Sequence, residues 1–262
     1  WVSDKSQVSG EARVFGEARV SDKSQVFDKA WVSDKAQVSG EAQVSGESRV
    51  FDKARVFDKA QVFGEARVSD KSQVLDKARV SGEAWVSGEA WVSGEAQVSG
   101  ESRVFDKSQV FGKAQVFGEA RVFGETRVSG EARVSDKAQV FGEARVSGEA
   151  RVSDKAQVSG EARVSDKAQV FGEAQVLGAA RVLGEARVKN IFDIVLVGPI
   201  GSRGAFTTFI RTQNLVFCGC YTGTLKQFEK QVHEKYEEGT QHRTEYDAAI
   251  KLFESLATKE IK

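Results

Sequence analysis

The amino-acid sequence predicts a mainly β protein: a parallel β-solenoid over residues 1–190, then a small β-β-β-α-α unit over residues 191–262. Three observations carry this reading. Valine recurs at every sixth position from Val2 to Val188 without a gap, giving 31 complete hexads. The third residue of every hexad, counted from valine, is Gly or Asp and nothing else. After Val188 the period stops, and ordinary strand, turn and helix-cap signals replace it.

A six-residue period fits neither a heptad nor an amphipathic helix, and hexapeptide periods belong to β-helices. Position one is always Val. Position five is Ala, or Ser at 6, 24, 48, 72, 102 and 108, or Thr126. In extended chain alternate side chains share a side, so the valine and the small residue both face inward. Position three is the corner, because Gly takes positive φ freely and Asp tolerates it better than most residues. Each hexad is then one short strand and one corner, and three hexads close a coil of 18 residues. With coils stacked at roughly 4.8 Å, ten of them make a rod about 48 Å long.

The outward positions are two, four and six. Asp-Lys fills positions three and four in 12 hexads, nine of which end in Gln. Gly-Glu fills them in 17, of which 12 end in Arg. The zero net charge of the chain is thus mostly built hexad by hexad. Stacking at 18-residue spacing places Glu47, Glu65, Glu83, Glu101 and Glu119 in one column. Like charges stacked in this way are unfavourable, and Arg49, Arg67, Arg103 and Arg121 are expected to offset them. Position two is Ser in 17 hexads, Phe in 11 and Leu in three. Phe105, Phe123 and Phe141 are expected to stack on one face, either shielding the sheet or forming a surface for a second copy or a protein partner.

The phrases VSGEAR, VFGEAR and VSDKAQ resemble the hexapeptide-repeat left-handed β-helix of bacterial acyltransferases and of repeat-bearing bacterial and phage proteins. That resemblance implies the left-handed winding. It does not transfer the acyltransferase or carbonic anhydrase chemistry, because residues 1–190 contain no His and no Cys and no long loop interrupts the hexads. An ice-binding face is also disfavoured, since every side carries Lys, Glu or Arg and the array holds one threonine.

In the remaining chain, IFDIVLVGPI (191–200) reads as a strand buried on both sides for much of its length, GSRG (201–204) as a turn, AFTTFIRT (205–212) as a second strand, and LVFCGCY (215–221) as a third. Thr224 with Gln227 fits a capping box. Leu225, Phe228, Val232 and Tyr236 follow on one helical face, and Gly239 ends the helix. A second helix is expected from about Arg243, with Tyr246, Ile250, Phe253 and Ala257 on its apolar face. This unit is expected to dock on the last coil, where a solenoid leaves open strand edges. GPIGSR, CGCYTGT and the helix carrying Phe228, Val232 and His233 resemble uncharacterised bacterial and phage proteins that end a hexapeptide array with a short unit. No activity is assigned to that group, so the likeness implies architecture alone.

The candidate binding residues are Cys218, Cys220, His233 and Arg203. Cys218 and Cys220 sit two apart in the expected third strand, on one face, where a disulfide between them would be strained. With His233 and His242 they supply four potential zinc ligands, but the spacing matches no established zinc pattern. A Cys–His nucleophile needs His233 within reach of the thiol. The plainest reading keeps both thiols as small apolar core residues. Arg203 in its glycine-flanked turn fits an anion site or an exposed turn. GPIGSRG lacks the Gly-Lys-Ser/Thr ending of a P-loop.

Composition narrows the remaining choices. Lys+Arg and Asp+Glu are both 38, which lacks the basic excess of a nucleic-acid footprint. No apolar run approaches the roughly 20 residues of a membrane span. The sequence opens at Trp1, inside a hexad, and contains no Met, so it is read as a fragment missing its N-terminal region. No cofactor, metal or catalytic residue is expected, and the function read from the sequence is that of a rigid structural or display rod with a C-terminal capping or attachment unit; the alternative is a small ligand-binding or thiol- or metal-dependent module in residues 191–262, with the solenoid as its scaffold or oligomerisation element.

Overall fold

The computed structural model describes residues 1–3 and 5–257. Thirty-one two-residue strands run from β1 (Gln7–Val8) to β31 (Arg187–Val188), each made of a position-six residue and the valine after it. They form three parallel sheets of 11, 10 and 10 strands, in which each strand pairs with the third one after it. The register is 18 residues throughout, as where Gln25 and Val26 face Gln43 and Val44.

The backbone accounting explains why such short strands hold. The N–H groups of the outward positions donate to carbonyls 17 residues later: Gln25 to Ala42 at 2.9 Å, Phe27 to Val44 at 3.0 Å, and Lys29 to Gly46 at 3.0 Å. The N–H of position five turns back across the corner, as from Ala30 to Phe27 at 3.3 Å. That leaves the corner N–H at position three, an amide that needs a partner from outside the ladder.

Asp supplies it. The Asp22 carboxylate accepts from the Gly40 N–H one coil on at 3.1 Å, and Asp28 does the same for Gly46 at 3.1 Å. Asp154 accepts from Gly172 at 2.8 Å, and Asp166 from Gly184 at 3.0 Å. Corner aspartates hold φ between 58° and 62°, and corner glycines between 62° and 80°. The two permitted residues are therefore not equivalent. Gly removes the left-handed strain, whereas Asp accepts some strain and gains an inter-coil hydrogen bond.

The interior is a column of two side chains. Every valine from Val20 to Val188 is fully buried, as are nearly all the position-five alanines. Each such valine contributes on the order of 1.5–3 kcal/mol by leaving water. Serine substitutes for alanine because its hydroxyl finds carbonyls at the corner: Ser24 Oγ donates to Ser21 O at 2.6 Å. Thr126 is the exception, with a buried Oγ1 that has no hydrogen-bond partner. At the end of the rod formed by the first hexads, Val2 and Val8 are half exposed.

The last coil is covered by an antiparallel sheet of four strands: β32 (Ile194–Ile200), β33 (Ala205–Ile210), β34 (Leu215–Cys218) and β35 (Tyr221–Thr224). Alternation gives this sheet two working faces. Ile194, Leu196, Ile210, Leu215 and Phe217 pack into the valine core of the rod. Val195, Val197, Phe209, Val216 and Cys218 pack toward two helices, α1 (Leu225–Lys235) and α2 (Gln241–Ala257). Phe209 and Phe253 stack at 4.8 Å between the sheet and α2. Polar contacts tie the same joint. The Arg181 N–H donates to Thr208 Oγ1 at 2.9 Å, the Arg187 N–H donates to Gln213 Oε1 at 2.5 Å, and the Arg181 guanidinium donates to the Gly219 carbonyl.

Several local expectations are corrected. The small unit has four strands where the sequence reading had three, because Gly219-Cys220 makes a two-residue hairpin that splits the third segment. Gly219 takes φ +58°, the position where this kind of tight hairpin favours Gly. Residues 191–193 form a 3₁₀ turn in which Asp193 Oδ2 accepts from the Lys189 and Asn190 N–H groups at 2.6 and 2.9 Å. The strand beginning at Ile194 is an edge strand and is only half-buried. The Thr224–Gln227 capping box is present, but α1 stops at Lys235, with Tyr236 just beyond it and Gly239 farther along. The second helix starts at Gln241, and Ala257 is exposed.

The corner chemistry predicts a paired outcome at Gly112, the one corner glycine followed by Lys. Gly112→Asp recreates the hexad found at residues 56–61 and should be near neutral, within about 1 kcal/mol, as the new hydrogen bond offsets the strain. Gly112→Val should cost about 2 kcal/mol or more, since at φ +72° a β-branched side chain meets the Gly130 backbone and offers its N–H no acceptor in return. Denaturant unfolding of both variants checks this; equal losses would show that the Asp bond contributes nothing.

Candidate functional site

The residues singled out in the sequence divide between two places. Arg203, Cys218 and Cys220 line one groove of about 390 Å³ on the small unit, bounded by the 201–204 turn, the β34–β35 hairpin and the end of α1. His233 does not line it. His233 faces α2 instead, with Nε2 3.0 Å from Asp247 Oδ1, while Arg243 Nε lies 2.8 Å from Asp247 Oδ2. Burial pushes the Asp247 carboxyl up, but the hydrogen bonds from Arg243 and His233 outweigh it and hold it below the ordinary aspartate value.

The thiols differ from the sequence reading. Cys218 ends β34 and Cys220 occupies the hairpin turn, so they are not alternate residues of one strand. Both are free; Cys218 is half-buried and packs against the core, while Cys220 is exposed, which corrects the core reading for Cys220. Cys218 Sγ accepts from Thr207 Oγ1 at 3.2 Å and lies 3.9 Å from the Tyr246 hydroxyl. Among the described residues no group of three or more His, Cys, Asp or Glu is placed to hold a metal.

Tyrosines that read as helix-face core residues in the sequence also form the groove wall. Tyr221, Tyr236 and Tyr246 all line it. Tyr236 and Tyr246 lie 5.5 Å apart, and Tyr246 meets Phe228 edge-on at 5.8 Å. Burial, and then the Cys218 thiol, push the Tyr246 hydroxyl above its ordinary range. The Tyr236 hydroxyl lies 3.1 Å from Ser202 Oγ. The available signal was a hydroxyl-bearing aromatic on an apolar helix face, which marks a polar rim as well as a core.

Glu245 pins the groove's edge. Its Oε2 accepts from the Gly201 N–H at 2.7 Å, and that bond, followed by one from Gln241, holds the carboxyl below its ordinary value. His242 Nδ1 is 3.6 Å from the same oxygen, too long for a hydrogen bond.

The rod's outer faces carry two larger grooves, of about 700 and 740 Å³, lined by corner Gly and Asp residues and by the Glu and Lys side chains beside them. Its charges pair between coils, Lys to Glu at 18-residue spacing: Lys29–Glu47 at 3.3 Å, Lys71–Glu89 at 2.9 Å, Lys137–Glu119 at 3.5 Å. The glutamate column is thus met by a lysine at each end, and not by the neighbouring arginines. Arg49 and Arg13 lie over the Trp31 ring at 5.0 and 5.5 Å, and Arg79 donates to Gln61 at 3.0 Å. The expected phenylalanine stack is present, with Phe105–Phe123 at 5.2 Å and Phe123–Phe141 at 5.1 Å, the rings within 5° of parallel. Trp31 and Trp85, 37% and 40% exposed, stand on the same sheet.

No protein-family model matches the chain, and no curated protein matches it. Among the described residues, no helix is long and apolar enough to cross a membrane.

Proposed function

We propose that this protein is a non-enzymatic rigid rod, a spacer or display element, whose C-terminal unit closes one end and serves as the point of attachment. The observation that supports this most strongly is the unbroken array: 31 hexads without an inserted loop, with the interior filled by valine and small residues. A solenoid working through histidine or cysteine chemistry, or through an acceptor site built on an inserted loop, needs parts that these hexads do not contain. Stiffness is what the architecture delivers, because every side of every coil is bonded to the next.

Spin labels test the spacer reading. One is placed at Ser3→Cys and one at the native Cys220, in a Cys218→Ala background. The distance distribution should be narrow, and inserting two coils of 18 residues should lengthen it by about 10 Å. A broad distribution, or a length indifferent to the insertion, would contradict a spacer role.

A second copy packed side by side is supported by the half-exposed ring stack of Phe105, Phe123 and Phe141. Exposed stacked rings of this kind mark contact surfaces. Sedimentation should show an oligomer that weakens at least tenfold with Phe123→Ser. A monomer at high concentration would exclude this contact.

A further inference from the structure

The groove on the small unit has a chemistry of its own that the rod does not require. Arg203 stands exposed in its turn, and Lys235, exposed at the end of α1, lines the same groove with its Nζ 5.4 Å from the centre of the Tyr236 ring. Neither is paired with a carboxylate among the described residues, and no Asp or Glu lines the groove. The one nearby carboxylate, Glu245, is occupied by the Gly201 N–H and Gln241. In a chain of zero net charge, this is a local excess of positive charge in a recess. The half-buried Tyr221 and Tyr236, the buried Tyr246 and the exposed Ser202 line the same recess. The recess, at about 390 Å³, falls in the size range of small-molecule sites.

We infer that this groove binds a small organic anion, a carboxylate or phosphate monoester carried on a flat ring. Arg203 and Lys235 take the anionic head and the tyrosines take the ring. Arg offers a planar fork of donors matched to either anion, and Lys adds a compact point charge. The half-buried Tyr221 and Tyr236 give the ring a stacking surface that a bare inorganic anion cannot use. Cys220 stands at the groove's rim as an exposed thiol, so a bound ligand shields it. This site is independent of the spacer role: the rod keeps its length whether or not the groove is filled.

Shielding provides the test on the full chain. The rate of Cys220 alkylation by neutral iodoacetamide is followed by peptide mass, with benzoate, adenosine monophosphate and inorganic phosphate as probes. Benzoate or the nucleotide should slow the reaction at least fivefold at saturation, with Kd about 1 mM or tighter. Whichever of the two protects more strongly identifies the head group as carboxylate or phosphate. The protection should fall at least tenfold in apparent affinity in both Arg203→Ala and Lys235→Ala, while the unfolding midpoint stays at the parent value, since both residues are exposed. The inference is overturned by no protection at about 10 mM of either ring-bearing probe, or by equal protection in the two variants. Inorganic phosphate protecting as well as the nucleotide overturns the ring-bearing class.

Discussion

Each side of this rod turns on a single residue held in the left-handed region of backbone space. The corner occurs once in every six residues, and the inward valine and small residue of each hexad take their places from it. It fixes the length of each strand at two residues, directs the following small side chain and the next valine inward, and sets the 18-residue register that pairs each coil with the next. L-residues other than Gly resist that conformation by roughly 1–2 kcal/mol. A sequence that places Gly or Asp there 31 times has been shaped by the corner more than by any surface property.

The corner also accounts for the alternation that otherwise looks like drift between two repeat phrases. Where Asp stands, its carboxylate in most cases caps the corner amide of the following coil, and a lysine beside it balances its charge. Where Gly stands, the next residue is usually Glu, which meets a lysine from an adjacent coil when one is there. The Lys71 hydrogen bond holds Glu89 below its ordinary value, and Glu125 holds Lys107 above its own. These pairs are exposed and individually weak, so they tune the surface without deciding the fold. The freedom they leave is visible in position two, where Ser, Phe and Leu interchange while the interior does not.

What was legible in the sequence follows from the same logic. Val2 through Val188, the corner residues and the inward Ala or Ser are set by local sterics, and the period reports them directly. The joint between rod and cap was legible in outline, because two-sided hydrophobic runs such as Ile194–Val197 signal a sheet covered on both faces. The Gly219-Cys220 hairpin was missed because CGCY continues an apolar run, and only the Gly-X turn signal distinguishes it from strand. The groove was half legible. Arg203 and the cysteines were singled out, but their convergence with Lys235 and the tyrosines depends on how the hairpin folds against α1, a long-range contact that no spacing encodes. His233 was assigned to the same place on its helix position, and a single turn of the helix instead sends it to Asp247.

The account stands most directly on the six-residue corner spacing, and two deletions within the array test it. Removing the whole hexad Val128–Arg133 keeps every later corner, valine and small residue in its place on the coil. Removing Glu131 alone forces that side to close with five residues and strains the corner or displaces a buried valine. Denaturant unfolding should leave the hexad deletion within about 2 kcal/mol of the parent, while the single deletion loses on the order of 3–5 kcal/mol from strain and lost burial combined. If the hexad deletion proves as damaging as the single one, the register is held by its particular side-chain columns and the corner is not the governing constraint.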